Sequence, residues 1–480
     1  MRKVSFILFI MFSVINPVSV FCSDLSVFEA ENCKLAGAKI ETEGNDFSGS
    51  GYVTFSQYIQ NNVSFDFKVE KSGEYVVALK VKNPDKDKRS GVKILYDNAT
   101  YLCSQRLPVS DKFEVVYANT PMNLTAGNHT LVIYGISGGW QLDSITVEEK
   151  TAKNSRYVEL PSLVTQNPSA NTKKVYEYLC SIQGKGILSG QQYDKGTEVR
   201  IIETVTGKSA AVLGIDLMDY SPSRVARGTS SRMVPEAKKW WNNGGLITCC
   251  WHWNAPMDLI DEGPDKFWYS GFYTKATKYD FTKALRDSES EEYKTMIRDI
   301  DAIAKQLKIL EADDIPVLWR PLHEASGGWF WWGAKGAENY IKLYKLLFDR
   351  LQNHHGLKNL IWVWNGQSPE WYPGDEYVDI IAYDSYPAKN KHTTVLAELE
   401  KIQSATFERK IAAISENGTL PDIEKIAETK LPWTWFCTWC GDFTVKGRTY
   451  SEDYTSLEKF KSFYANDYLI TRDELPDFRK

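Results

Sequence analysis

The pattern of apolar and polar positions changes once along the chain, near residue 150. Before it, apolar and polar residues alternate over short runs: Val63–Val69, Tyr75–Val81, Lys93–Tyr96, Phe113–Tyr117, Thr130–Tyr134 and Ser144–Val147. Alternation with period two turns one face of an extended segment to a core and the other to water. Turn-forming stretches separate the runs, among them Lys71-Ser72-Gly73, Asn83-Pro84-Asp85 and Ala126-Gly127-Asn128. Short strands at this spacing predict an antiparallel β-sandwich of jelly-roll type over residues 23–150. Residues 151–170 are polar, contain Pro161 and Pro168, and read as a linker.

From residue 171 to the end the pattern alternates strand and helix. Eight apolar runs predict strands: Ile187–Gln192, Ala211–Leu217, Leu246–Trp253, Val317–Glu324, Leu360–Gly366, Val378–Tyr386, Ile411–Glu416 and Trp433–Trp439. Helical periodicity lies between most of them, over Glu198–Val205, Met233–Asn242, Glu291–Leu310, Glu338–Asn353, Val395–Ser404 and Ile423–Glu428. This order is that of an α/β (β/α)8 TIM barrel. The weakest spacer is the fifth, where Ser368–Asp375 is short and contains proline. An open doubly wound sheet, the alternative, wants a Gly-rich phosphate turn after its first strand, and Ser189-Gly190-Gln191-Gln192 does not supply one.

In a barrel, strand ends carry the chemistry. Two of these runs end in glutamate followed by a Gly-containing loop: Trp319-Arg320-Pro321-Leu322-His323-Glu324 and Ile414-Ser415-Glu416-Asn417-Gly418. Parallel strands four and seven would bring both carboxylates to one rim. A carboxyl pair facing one cleft is what glycosidic bond cleavage requires, one to protonate the leaving oxygen and one to attack or to activate water. The 16 Trp and 26 Tyr fit the same chemistry, because their flat apolar faces with polar edges stack on sugar rings.

Composition narrows the rest. A net charge of −5 with no long basic block speaks against nucleic acid as a partner. Arg2 and Lys3 precede an apolar stretch, Val4–Ile15, too short to span a bilayer, so residues 1–22 read as a signal peptide cleaved near Cys22–Ser23. A lipid-modified Cys22 stays open, although Phe21 is bulkier than the usual lipobox takes. The expectation is an exported monomer with no membrane span. Export permits disulfides: of the seven Cys left after cleavage, Cys33 and Cys103 are expected to pair, Cys437 and Cys440 could close a small loop, and the odd count leaves a free thiol. Asn62, Asn98, Asn123, Asn128 and Asn417 lie in N-x-Ser/Thr sequons.

The segment Trp319–Trp332 (WRPLHEASGGWFWW) together with Ile414–Gly418 (ISENG) resembles glycoside hydrolase family 26, mostly β-mannanases, over about residues 171–475. The family carries His before its acid/base glutamate where related barrels carry Asn, and His323 stands there. The resemblance implies Glu324 as general acid/base and Glu416 as nucleophile of a retaining double displacement, with carboxyl groups about 5–5.5 Å apart. It implies Tyr386, in Asp384-Ser385-Tyr386, as a hydrogen-bond partner of the nucleophile. His252, in Trp251-His252-Trp253-Asn254-Ala255-Pro256, would contact the −1 sugar, and His323 would join the substrate-binding set. Trp329 would line the +1 side and Trp439 the platform under the −1 sugar. Arg320 reads as a residue that orients carboxylates, and one of Trp362 and Trp364 as inward-facing. Met257–Leu285, a long insertion with Phe267-Trp268-Tyr269 and Phe272-Tyr273, reads as a cleft wall.

Phe28-Glu29-Ala30-Glu31 with Gly138-Gly139-Trp140-Gln141-Leu142-Asp143 resembles carbohydrate-binding modules of families 35 and 6. That likeness implies a structural Ca²⁺ held by Glu29, Glu31 and Asp143, and sugar stacking on Trp140 with Tyr52 behind it. The expected activity is an endo-β-1,4-mannanase on mannan, glucomannan or galactomannan, with no cofactor for the chemistry. Open beside it are the same mechanism on lichenan or β-1,3-xylan, release of mannobiose from chain ends, and a non-catalytic glycan-binding barrel. A zinc peptidase, suggested by His323-Glu324, lacks a second His at helical spacing.

Overall fold

The computed structural model describes residues 26–56, 61–86, 89–97 and 99–480. The expected signal peptide and the sequon at Asn98 lie outside the described residues. Among the described residues no helix is long and apolar enough to cross a membrane.

The first part is a sandwich of two antiparallel sheets. One joins Ser26–Glu29, Lys39–Glu41, Tyr52–Thr54, Gly73–Asn83, Ser110–Tyr117, Met122–Leu124 and Gln141–Glu149; the other joins Lys34–Ala36, Asn62–Val69, Gly91–Tyr96, Thr100–Arg106 and Gly127–Gly135. Their facing side chains, including Val53, Phe55, Val63, Val77, Leu79, Ile94, Leu131, Ile133, Trp140 and Ile145, form one apolar core. Each of the six alternating runs is a strand, but Thr100–Arg106 escaped the reading. It is buried along nearly its whole length, because one face meets the sandwich core and the other meets the barrel, which erases alternation.

All seven described cysteines are free thiols, which corrects both expected bridges. Cys33 immediately precedes Lys34–Ala36, an edge strand of the five-stranded sheet, whereas Cys103 lies in Thr100–Arg106 at its opposite edge. Strand spacing puts the two roughly 19 Å apart, far beyond disulfide reach. Cys437 is inside a barrel strand, its Sγ packed where a Cβ on Gly214 would sit, and Cys440 lies beyond the strand end.

The second part is the expected barrel. Its parallel strands in order are Ile187–Leu188 continued by Gly190–Gln192, then Val212–Asp216, Leu246–Cys250, Val317–Arg320, Leu360–Trp364, Ile380–Ser385, Ile411–Asn417 and Trp433–Thr438. The eighth strand pairs back on the first, Leu188 opposite Trp435 and Gln191 opposite Thr438, so the sheet closes. Gly190 makes closure possible: a Cβ there would lie 2.1 Å from the carbonyl oxygen of Phe436. Between strands five and six only 3-10 turns occur, Pro369–Trp371 and Asp375–Tyr377, in keeping with the Pro-containing spacer. Trp362 and Trp364 both face outward, against Phe348 and Tyr344 and against Tyr372 respectively; the expectation that one points inward is corrected, since positions two apart on a strand share a face.

The segment after the sandwich is fastened under the barrel. Val164 N donates to Asp379 Oδ1 (2.7 Å) and Thr165 Oγ1 to the carbonyl of Leu360 (2.6 Å), at the entries of strands six and five. The sandwich itself docks on the flank of the barrel through Thr100–Arg106. Tyr101 is buried in the barrel core and its hydroxyl donates to Gln403 Oε1 (2.5 Å), Lys93 pairs with Glu400 (2.7 Å), and Arg106 N donates to Thr406 O (2.8 Å). Truncating an aromatic ring in such a seam leaves a cavity and removes one of the two donors to Gln403 Oε1, the other being Ser104 N (3.3 Å). Tyr101→Ala should therefore lose on the order of 3 kcal/mol, measured by urea unfolding, with sandwich and barrel melting in one transition in the wild type.

Candidate active site

The site is built on the fourth, sixth and seventh strands. The seventh runs through Glu416 to Asn417, and a bulge at Ser415 shifts its register, so that Tyr383 faces Ile414 but Asp384 faces Glu416. One extra residue thus turns Glu416 to the same side as Asp384. The fourth strand stops at Arg320, earlier than expected, and Glu324 lies beyond it in a tight loop. Leu322 and Glu324 both have φ of 53°, left-handed backbone that costs non-glycine residues roughly 1–3 kcal/mol each. Glu324 N donates to Asn365 O (2.7 Å) and Trp332 Nε1 to His323 O (2.8 Å), which hold the loop.

Arg320 is the hub. Its buried guanidinium donates from Nη1 to Asp384 Oδ2 (3.0 Å) and Asn365 Oδ1 (2.9 Å), and from Nη2 to Glu416 Oε1. Burial disfavours its charge, yet Asp384 and Glu416 hold its pKa well above the ordinary value. Asp384 is fully enclosed. Burial, with the charges of Glu416 and Glu324, raises its carboxyl well above the ordinary value, while Arg320 on one oxygen and the Ser415 hydroxyl on the other (2.6 Å) oppose that rise. Glu416 takes its second hydrogen bond from the hydroxyl of Tyr386 (2.6 Å). Tyr386 is wedged beside Phe443, against Gly418, where any Cβ would strike the Phe443 ring at 2.6 Å.

Among the described residues Glu324 has no such cationic partner in contact. Its Oε2 accepts from Trp329 Nε1 (3.0 Å), and Gly327 leaves room for that indole to fold back over the loop. One oxygen each of Glu324, Asp384 and Glu416 lie within 4.8 Å of one another. Burial, then the charge of Glu416, raise the Glu324 carboxyl from 4.5 to about 7. A carboxyl raised to about 7 is what the acid role at a glycosidic bond demands.

Around them the structure gathers His252, Trp439, Trp329 and Tyr386 at the same rim, with Trp329 and Tyr386 partly exposed. The His252 ring lies 5.9 Å from that of Trp439, 5.0 Å from Phe272 and 5.3 Å from Phe330. The Met257–Leu285 insertion packs against the Trp329 loop through Thr274, whose N donates to Trp329 O (2.7 Å). His323 is a correction: it is 1 % exposed and sits beneath His252, Nε2 to Nε2 at 3.2 Å, so it meets a side chain rather than substrate. Trp140 is a second correction. It is fully buried and stacked on Phe55 at 4.1 Å, so no sugar can reach its face, and Tyr52 packs on Phe47 and Phe113 instead. The cluster of Glu29, Glu31 and Asp143 is brought together around Ser48–Ser50: Ser48 Oγ bonds both Glu29 and Asp143 at 2.9 Å, and Ser50 N donates to Glu31 at 2.7 Å.

Asp384, Asn365 and Asp216 were not singled out as site residues from the sequence. The signal was present, a polar residue closing an apolar strand as in Gly214-Ile215-Asp216 and Ala382-Tyr383-Asp384, but it does not reveal which such residues face inward.

The raised Glu324 carboxyl has a stability consequence. Its proton is bound more tightly folded than unfolded, so its ionisation costs the native state progressively as pH rises from about 4.5 to about 7. Glu324→Gln should raise unfolding free energy at pH 8 by on the order of 2 kcal/mol and leave it nearly unchanged at pH 4, as read by chemical denaturation at both pH values.

Comparison with known proteins places this geometry. Residues 164–474 match the model of glycosyl hydrolase family 26, and residues 26–150 that of carbohydrate binding module family 35. A mannan endo-1,4-beta-mannosidase of Thermothelomyces thermophilus is 38% identical over 459 residues, 96% of this chain and 92% of that protein. The crystal structure of a Podospora anserina GH26-CBM35 β-(1,4)-mannanase has a TM-score of 0.61 at 37% identity, covering 96% of this chain and all (100%) of that one. A β-mannanase from a symbiotic protist of the termite Reticulitermes speratus, solved with gluco-manno-oligosaccharide, has a TM-score of 0.58 at 34% identity, covering 66% of this chain and 98% of its own. With its barrel, its paired glutamates and the family match over most of its length, the chain belongs to glycosyl hydrolase family 26.

Proposed function

We propose that the chain is an exported endo-β-1,4-mannanase acting on mannan, glucomannan or galactomannan by a retaining double displacement. The observation that carries this reading is the approach of Glu324 and Glu416 to within 4.8 Å, since retention wants carboxyl groups about 5–5.5 Å apart and inversion leaves a wider gap for water. Glu416, with a donor on each oxygen, attacks the anomeric carbon. Glu324, whose carboxyl is raised to about 7 and so keeps a protonated fraction at neutral pH, delivers its proton to the departing oxygen, then takes one from the water that hydrolyses the glycosyl-enzyme. Trp439 forms the platform for the −1 sugar, His252 borders it, and Trp329 lines the +1 side. Mannan as substrate rests on the relatives, and export rests on Arg2, Lys3 and the apolar stretch Val4–Ile15.

Reducing-sugar release from mannan, lichenan and xylan tests the reading. Glu416→Ala should fall to background on mannan, and Glu324→Gln by about 10²–10⁴-fold. Proton NMR of the first-formed product should display the β-anomer, and kcat/KM should decline above about pH 7 as Glu324 ionises. Equal turnover of lichenan would overturn the mannan assignment, and an α-anomer the mechanism.

We further propose that Glu29, Glu31 and Asp143 hold a structural Ca²⁺ in the sandwich. The donors are all carboxylate oxygens, as this hard cation prefers. Lys80 offsets one charge by pairing with Asp143 (2.6 Å), while Glu31 Oε2 is buried with no hydrogen-bond partner among the described residues. Millimolar Ca²⁺ should then raise Tm by several degrees after chelation, and Glu31→Gln should abolish that rise.

A further inference from the structure

The second, third and fourth strands are linked beneath the cleft by a chain of side chains with a fixed proton order. Asp216, the last residue of the second strand, is largely buried. Its Oδ1 accepts from the backbone N–H groups of His252 (3.0 Å) and Met218 (2.9 Å), and its Oδ2 from His252 Nδ1 (2.7 Å). His252 Nε2 lies 3.2 Å from His323 Nε2, the two rings meeting edge to face at 83°. His323 Nδ1 is buried with no hydrogen-bond partner among the described residues. His323 immediately precedes Glu324, in the loop whose backbone is left-handed at Leu322 and Glu324.

The donors can be assigned in sequence. Burial raises the Asp216 carboxyl, but His252 and the backbone N–H groups outweigh it and keep it ionised, so it can only accept. His252 Nδ1 therefore carries a proton. One proton is left to share between the two Nε2 atoms. If it sat on His252, that ring would be an imidazolium and a neutral His323 would need a further proton on Nδ1, an N–H buried without an acceptor among the described residues, at a cost of roughly 1–3 kcal/mol. If it sits on His323, the bare Nδ1 is only an unused lone pair. Burial and the charge of Arg320 hold His323 neutral, so it carries one ring proton, and the cost of a buried unpaired N–H places that proton on Nε2. The order is then Asp216 accepting from His252, and His252 accepting from His323.

We propose that Asp216 is a positioning residue for the reaction: by fixing the tautomer of His252 it makes His252 Nε2 an acceptor for His323, and so anchors the loop that presents Glu324. This rests on the reading of Glu324 as the acid/base. The other loop contacts do a different job: Glu324 N to Asn365 O and Trp332 Nε1 to His323 O hold backbone atoms, and Phe330 and Trp332 pack on the His323 ring without giving its nitrogens a partner.

Asp216→Asn is the informative change. Whichever way the amide is placed, an NH₂ meets an N–H donor. The amide keeps its oxygen toward the two backbone donors, and the NH₂ then faces His252 Nδ1. That nitrogen must become an acceptor, the proton moves to Nε2, and His323 must reverse as well. A tautomer-reversing Asp-to-Asn change of this kind alters little else in shape.

Two readouts test it. Long-range ¹⁵N–¹H NMR of histidine-labelled protein, with His252 assigned from the signals lost in His252→Gln, should give the Nδ1–H form in the wild type and the Nε2–H form in Asp216→Asn. In the same variant kcat on mannan should fall on the order of 10²-fold with KM within about twofold, and Asp216→Glu should recover part of kcat. An Nε2–H form in the wild type overturns the proposal, whether or not the variant folds. So does Asp216→Asn with unchanged kcat, or with reduced kcat and no change of tautomer, which is what a merely structural role would give. A wild type inactive on every glycan would sink the proposed reaction and leave the tautomer result standing, so the two failures are distinguishable.

Discussion

Arg320 is the charge on which the cleft depends. It is buried with the carboxyl groups of Asp384 and Glu416, and among the described residues neither of them has another cation in contact. Removing one partner of a buried ion cluster leaves an uncompensated charge worth about 3–5 kcal/mol, so the three residues stand or fall together. They come from strands four, six and seven. Their meeting fixes the relative register of those strands at the rim, and the bulge at Ser415 is the local price of that register. Without the extra residue, Glu416 would lie across from Ser385 and point away from the guanidinium.

One guanidinium among three carboxyls also sets the proton inventory. Arg320 and Tyr386 commit both oxygens of Glu416, and Arg320 and Ser415 commit both of Asp384. Glu324 is left with an indole N–H and a negative neighbour, in a partly enclosed place, and its carboxyl rises to about 7. The rise at Glu324 is thus not a property of that residue alone. It follows from how one cation is shared among three acids, and from which acid stands farthest from it.

How much of this was legible in the sequence depends on what each signal measures. Period and composition report burial of a segment, so the barrel, the sandwich and the paired glutamates could be read. They do not report direction. The likeness to carbohydrate-binding modules implies a sugar platform at Trp140, yet Trp140 completes the sandwich core against Phe55. Trp362 and Trp364 face the helices rather than the barrel interior for a reason visible only once the pleat is known. Cysteines can be counted in a sequence, but Cys33 and Cys103 occupy opposite edges of one sheet. Thr100–Arg106 lost its alternation because the sandwich is docked on the barrel. Asp384 and Asp216 were hidden among other strand-end polar residues until the register placed them inside.

The position of Glu324 carries the argument one step further. Glu416 is held by the sheet itself, since it lies within a strand and pairs with its neighbours. Glu324 lies outside the sheet, four residues beyond the end of the fourth strand, and both it and Leu322 have left-handed backbone. Such strain persists only where surrounding contacts over-determine the conformation. Asn365, Trp332 and the His252–His323 contact supply them, and they arrive from the fifth strand end, from the loop after the fourth strand and from the third strand end. A nucleophile that must be anchored and an acid that must reach over a departing oxygen pose different mechanical demands. The barrel meets the first with a strand and the second with a loop braced from three sides, so substitutions around Glu324 act on geometry that the sheet alone does not protect.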